Sequence, residues 1–415
     1  MLFWFLPLLS LGTLAAYCLW NLKLCRACDA KLAEGGALVQ VARYRQAVDA
    51  FEEGFALASR ILMGQGDRAI LCALGAAEAL QQAGQKANAY DSALAAFMIS
   101  GRQARAAYSL RLYTLLADLS EEHGHSPRAI GMRQVVVALL QSSCPNSKEL
   151  ALQLRKLGAS LSFGGLPVHA AIAYEEATQL LWRRVQDSPE DNADYAQALL
   201  QLGTVLGKLG QFQRAEDALQ SARRIVPAKA HSAPVLRELG TLYCAWSRYA
   251  EACTFFEDAY RVQVRASGPS DVQVALILTG YAECLRKIGR VDAARNTATR
   301  AVKLLEVNQH PALASGLGTL GSVLLADREY TQAVEVFERA DRAASVCRSS
   351  PLETAERLES HAQALEALHR ALDAEQLREG ASSIRSALAA APPADELFTA
   401  NLQSVTPAAN WADGG

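Results

Sequence analysis

Three kinds of residue pattern in this chain could do chemistry. The string Gly316-Leu317-Gly318-Thr319-Leu320-Gly321 has the glycine spacing of a cradle for dinucleotide phosphates. Such a cradle needs a strand before it, so that the glycines can turn and let the phosphate reach a helix N-terminus. Here the flanking apolar residues recur at helical spacing, so the glycines read as packing positions inside a helix. Cys25-Arg26-Ala27-Cys28 is half of a zinc site or a redox pair. Zinc requires a second pair at suitable spacing, and the sequence has none. The histidines are His123, His125, His169, His231, His310, His361 and His369. None falls in a His-Glu-x-x-His string, and the sequence has no nucleophile elbow or phosphate loop for one to serve. The expectation is therefore a protein that is no enzyme and has no cofactor and no metal.

The residues that might position a site are those of helices. Ala, Leu, Gln, Glu and Arg dominate, and they are good helix formers. Hydrophobic residues make up 51% of the chain, enough for a continuous core. Net charge is −2, from 41 basic and 43 acidic residues. That balance lacks the basic excess of a nucleic-acid surface, so nucleic acid is not an expected partner. The cysteines are odd in number and mostly scattered singly, which predicts unpaired thiols in a reducing compartment.

Leu2 to Trp20 is a run of nineteen residues without a charge, with Lys23, Arg26 and Lys31 just beyond it. About 20 apolar residues span a bilayer core, and the basic residues place the C-terminal side of the run in the cytosol. Residues 1–22 are expected to form an apolar helix that anchors the chain in a membrane through residues 2–20. The alternative is a cleaved signal peptide, which would make the rest a secreted, periplasmic or organellar scaffold.

Beyond that run the sequence repeats. Small residues stand twelve apart as Gly35/Ala47, Ala77/Ala89, Ala117/Ala129, Gly158/Ala170, Gly203/Ala215, Gly240/Ala252, Ala282/Ala294, Gly321/Ala333 and Ala362/Ala374. Successive first members are 37 to 45 residues apart. Seven residues after each second member stand Gly54, Ala96, Val136, Ala177, Ala222, Ala259, Ala301, Ala340 and Ala381. Two antiparallel helices approach closely only where the crossing points carry almost no side chain. Large residues fill the space beside them: Phe51, Tyr174, Leu219, Phe256 and Phe337 lie four residues past the second member. Gly84, Gly124, Gly165, Gly210 and Gly289, each five residues before it, mark the turns. The pattern is sharpest from Ala193 to Ala344.

These residue types and spacings resemble the tetratricopeptide repeat, in the longer-period form found in kinesin light chains. The ordinary repeat is about 34 residues. The resemblance covers residues 28–386 and implies an all-α fold, a right-handed α-solenoid of about nine helix hairpins preceded by the N-terminal apolar helix. The solenoid is expected over residues 23–386, with a flexible tail at 387–415. Arg133 and Arg378 stand where a large apolar residue belongs, which predicts distorted or capping units. The Asn-rich first-helix run of kinesin light chains is absent.

The resemblance also implies a function. First helices line the concave face in this repeat type, and that face holds a protein or peptide partner. Counting from the small residues gives Arg155, Gln197, Thr204, Lys208, Arg237, Thr241, Glu283 and Arg286 as candidate partner-binding residues. Glu78, Asp118, Glu121 and Glu122 give the N-terminal part an acidic character, so a partner bearing acidic residues is expected at the more basic centre. No Asn stands directly after the first small residue of any unit, which argues against the two-carboxylate clamp for chaperone C-termini. The expected activity is that of a membrane-tethered interaction scaffold or adaptor. The alternative is an assembly factor or regulatory subunit of an enzyme complex at an organelle membrane.

Overall fold

The structure, a computed structural model, describes residues 5–61, 65–100, 106–123, 126–185, 191–225, 232–346 and 351–389, with the side chains of 5–18 outside the description. The described residues form eighteen helices. They are α1 (Phe5–Gln40), α2 (Tyr44–Ala58), α3 (Gln65–Gln82), α4 (Lys86–Ser100), α5 (Ala106–Glu122), α6 (Ser126–Ser143), α7 (Lys148–Phe163), α8 (Pro167–Val185) and α9 (Asn192–Lys208). Next come α10 (Phe212–Ile225), α11 (Ser232–Ala245), α12 (Tyr249–Ser267), α13 (Val272–Lys287), α14 (Val291–Val307), α15 (Leu313–Ala326), α16 (Tyr330–Val346), α17 (Pro351–Ala367) and α18 (Ala371–Ala389). They fall into two compact units, one ending at Leu166 and one beginning at Pro167.

Within each unit the odd-numbered helix is the first of a pair and the even-numbered helix is the second. In the first unit α1 packs on α2, α3 on α4 and α5 on α6. In the second unit α9 to α18 pair in the same way, and α8 packs on α9. Successive first helices also touch one another: α1 with α3 and α3 with α5, then α9 with α11, α11 with α13, α13 with α15 and α15 with α17. Successive second helices have no comparable approach among the described residues. Each unit therefore curves with its first helices on the inner side.

The small-residue spacing explains why the pairs close. Every second small residue, from Ala47 through Ala374, is 0% exposed in all nine pairs. The residues seven further on are buried as well. The partner space is filled as expected. A β-carbon on Gly35 would lie 2.7 Å from Phe51, and one on Gly203 would lie 2.6 Å from Leu219. One on Gly321 would lie 2.7 Å from Phe337. Gly321 thus serves packing, and the string Gly316–Gly321 lies wholly inside α15.

The turns inside the pairs share one backbone conformation. Gly84, Gly165, Gly210 and Gly289 have φ of +77°, +79°, +73° and +81°. Ala42, Ser247, Arg328 and His369 occupy the same place in other turns, with φ of 57°, 62°, 63° and 61°. Gly124 lies outside the described residues. The next N–H reaches back to the last helical carbonyls, as in Gln211 N to Leu206 O at 2.9 Å and Arg248 N to Tyr243 O at 2.8 Å. Between pairs, Ser147 caps α7 by accepting from Leu150 N at 3.1 Å. Asp271 caps α13 by accepting from Gln273 N at 3.0 Å.

The two arginines in the large apolar position have different fates. Arg133 on α6 is 2% exposed and bound on three sides. Its Nη2 donates to Asp118 Oδ1 at 2.8 Å and to Glu121 Oε2 at 2.6 Å, and its Nε donates to Ser160 at 2.9 Å. It joins α6 to α5 by ion pairs and to α7 by a hydrogen bond, at the place where Phe51, Tyr174, Phe256 and Phe337 stand in four other units. Arg378 on α18 stays exposed and donates to Glu366 Oε2 at 2.6 Å. With Glu375, Glu379 and Arg385 it makes the outer face of α18 polar, as a terminal repeat requires.

Among the described residues no helix is long and apolar enough to cross a membrane. Residues 1–4 of the expected span lie outside the description. The α1 helix continues without a break through residues 22 and 23 into the first pair.

Candidate partner-binding site

The inner face of the second unit carries a shallow depression of about 210 Å³. Three first helices build it. Arg237 and Thr241 come from α11, Leu276 and Thr279 from α13, and Ala312 and Ser315 from the start of α15. Its floor is Phe256 of α12, seen past Gly280. A β-carbon on Gly280 would lie 2.7 Å from the Phe256 ring, and one on Gly240 would lie 2.9 Å from the opposite side. The ring is thus held between two glycines.

Two of the eight sequence candidates, Arg237 and Thr241, meet in this depression. The others sit along the same helices. Thr204 on α9 donates to the Leu200 carbonyl at 2.9 Å and lies 3.2 Å from Glu238 Oε2 on α11. Glu238 in turn accepts from Arg237 Nη2 at 2.8 Å, and Arg237 Nη1 reaches Gln273 on α13 at 3.4 Å. A polar ladder thus runs across α9, α11 and α13. Glu283 and Arg286 pair with each other at 2.5 Å. Gln197 and Lys208 are exposed on α9, and Lys208 has no ion-pair partner among the described residues. Arg155 lies half-buried on α7 in the first unit.

Glu78, Asp118, Glu121 and Glu122 of the first unit are each matched by a cation. Arg111 pairs with Glu78. Arg133 and Lys156 pair with Asp118, the latter at 3.3 Å, and Arg133 also pairs with Glu121. Lys86 lies 3.4 Å from Glu122. Asp29 of α1 accepts two bonds from Arg68 of α3, at 2.7 and 3.0 Å, and the guanidinium holds its carboxyl below the usual range. Ion pairs among neighbouring helices thus compensate the acidic character expected from the sequence.

The remaining chemistry-bearing groups are packed into the array. Cys28 and Cys72 lie 3.9 Å apart, both fully buried, and burial pushes both thiols up. The hydrogen-bonding neighbour of Cys244 is Cys284 on the next first helix. The His123 ring packs on Tyr90 at 5.0 Å, and His361 bonds Asp341 at 3.2 Å while stacking on Phe337. Among the described residues no three metal-ligating side chains converge.

Sequence reasoning missed Phe256, Leu276, Thr279, Gly280, Ala312 and Ser315. One signal for them was present. Gly280, two residues before the small Ala282, breaks the run of larger residues that the other second-unit pairs carry there: Gln201, Glu238, Thr319 and Ser360.

In each unit the stack of helix pairs is that of an α-solenoid. The sequence profile of the tetratricopeptide repeat family matches residues 231–307, which hold α11 to α14, so that stretch is of the tetratricopeptide repeat type. Among solved structures, a Rap protein complexed with competence and sporulation factor superposes with a TM-score of 0.55, at 14% identity, covering 88% of this chain and 99% of that one. The Rap conjugation gene regulator of plasmid pLS20, in complex with the Phr* peptide, gives 0.51 at 12% identity, covering 87% and 95%. A putative kinesin light chain from Podosopora anserina, with nearly identical TPR-like repeats, gives 0.38 at 18% identity, covering 46% and 94%. At these identities the likeness is one of fold. No curated protein matches the sequence.

Proposed function

We propose that this protein is an interaction scaffold that holds an extended peptide segment of a partner on the inner face of its second unit. The observation that carries this reading is the depression over Phe256, where three successive first helices contribute to one surface. An inner face built from stacked rigid pairs is preformed, so ordering it on binding costs little. Two structures of similar fold were solved with competence and sporulation factor and with the Phr* peptide, which supports a peptide as the class of partner. Lys208, exposed at the end of α9, would meet an acidic residue of that partner. Arg155, Gln197, Thr204, Glu283 and Arg286 would flank it.

A tether to a membrane is the second part of the reading. Its support is the uncharged run Leu2–Trp20 and the exposure of Leu19, Trp20 and Leu22 at 61%, 48% and 49% on α1. Carbonate extraction of membranes, with N-terminal sequencing of the product, tests it. Release into the supernatant or a new N-terminus after residue 20 contradicts the tether.

Partner capture by the full chain tests the scaffold. Lys208→Glu combined with Thr241→Trp is expected to abolish capture without loss of helix content. Undiminished capture contradicts a partner on this face.

A further inference from the structure

We infer that the notch above Phe256 is an anchor pocket for one aliphatic side chain from an uncharged stretch of the partner peptide. This rests on the peptide-binding reading above and adds what the peptide must present. Gly280 lines the notch and has no side chain, with the Phe256 ring directly beneath it. The equivalent places in the other pairs of the second unit are filled by Gln201, Glu238, Thr319 and Ser360. Among these pairs, only that of α13 and α14 has a glycine at this place. Leu276 and Ala312 supply apolar walls. A volume of about 210 Å³ admits one side chain and excludes a helix.

The rim determines the charge of the occupant. Arg237 is the one charged residue lining the notch, and its Nε and Nη2 are already on Glu238 Oε1 at 3.2 and 2.8 Å. That pair carries no net charge. It leaves guanidinium hydrogens for a peptide carbonyl without calling for a counter-ion. The α15 helix, Leu313–Ala326, contains no ionisable side chain. A charged group seated there would lose water and find no opposite partner.

The hydroxyls complete the match to a peptide backbone. Thr241 Oγ1 donates to the Arg237 carbonyl at 3.1 Å and Thr279 Oγ1 donates to the Ala275 carbonyl at 3.0 Å. With their protons so engaged, both oxygens keep lone pairs to accept from peptide N–H groups. The rim therefore offers donors from Arg237 and acceptors from the threonines around an apolar floor. An extended segment with a Leu, Ile, Met or Val side chain pointing down satisfies all three.

A random-peptide library displayed on phage, selected on the full-length protein, provides the probe. Peptides recovered on the wild-type chain are expected to share one aliphatic residue at a fixed place. Changing that residue to Asp in a synthetic copy is expected to weaken binding about tenfold or more. Gly280→Ala and Ser315→Trp are expected to do the same from the protein side. Ser315 is exposed, so its substitution fills the notch without disturbing the Phe256 packing that Gly280→Ala would strain. Recovered peptides with no shared aliphatic residue, or with undiminished binding to Ser315→Trp, overturn the anchor pocket and leave the scaffold reading standing. Recovery of no peptide above background overturns both.

Discussion

The Phe256 ring packs so tightly over Gly240 that a β-carbon on residue 240 would lie 2.9 Å from three of its ring carbons. The same geometry recurs between Phe51 and Gly35 and between Phe337 and Gly321. These glycines belong to helix interiors, where Gly costs about 0.5–1 kcal/mol relative to Ala. The close approach of the ring is what offsets that cost. Gly240→Ala is therefore expected to destabilise the second unit by about 1–3 kcal/mol, the range for overpacking a filled core. Gly36, with nothing within 4 Å of a β-carbon, is the control. Gly36→Ala is expected to be neutral or to stabilise by up to about 1 kcal/mol. Urea titration of each variant measures both.

The turns make a second prediction. Ser247 and Arg328 hold a left-handed backbone that Gly holds at the same place in other pairs. That conformation costs a residue with a β-carbon about 1–2 kcal/mol. Arg328→Gly and Ser247→Gly are each expected to raise thermal stability, by less than that because Gly also gains freedom when unfolded. Gly210→Ala is expected to lower it. A reversed order in melting temperature contradicts this account of the turns.

Arg133 is the ionic centre of the first unit. Removing it takes the buried cation from Asp118 and Glu121, while those carboxylates keep partial access to water and Asp118 keeps Lys156. Arg133→Ala is expected to cost about 2–4 kcal/mol, below the roughly 3–5 kcal/mol for breaking a fully buried pair, because of that access. Lys156 on the same cluster is largely exposed, and Lys156→Ala is expected to cost about 0–1 kcal/mol. Denaturation monitored by circular dichroism separates the two.

Asp271 gives the array a dependence on pH. Its carboxylate accepts from the Gln273 backbone N–H and from the Gln263 side chain, and these bonds hold its pKa below 3.8. A carboxyl depressed in the folded state contributes stability that is present above the unfolded pKa and is lost as pH falls through the folded one. The cap is therefore intact at neutral pH and disappears below pH 3.8. Asp271→Ala is expected to cost about 1 kcal/mol at neutral pH, and the difference from wild type is expected to shrink in acid. A difference that stays constant from neutral pH into acid contradicts the charged cap.

The fold was legible because its strongest constraint is local in sequence. Ala215 and Ala222, or Ala333 and Ala340, must be small wherever two helices cross, and that need recurs at fixed spacing. The turn glycines were legible for the same reason, and Ser247 and Arg328 could be placed only from the glycines at equivalent positions. The site was less legible. Arg237 and Thr241 could be counted onto the inner face, but their neighbours Thr279 and Ser315 come from later repeats, and no local rule selects them. Ion pairs such as Asp29 with Arg68 and Asp118 with Lys156 join residues 39 and 38 apart. Their existence cancels a charge pattern that reading the acidic residues alone suggested. Arg133 looked like a defect, and only the placement of Glu121 and Ser160 beside it shows how it is satisfied.

The central claim is that the inner face of the second unit receives the partner. A photo-reactive benzoylphenylalanine at Gln197, exposed on first helix α9, tests it against the same probe at Lys303, exposed on second helix α14. Both full-length variants are irradiated with the peptides selected from the library. The account predicts a covalent adduct from position 197 and none from position 303. Adducts from position 303 alone would place the partner on the outer helices and contradict it.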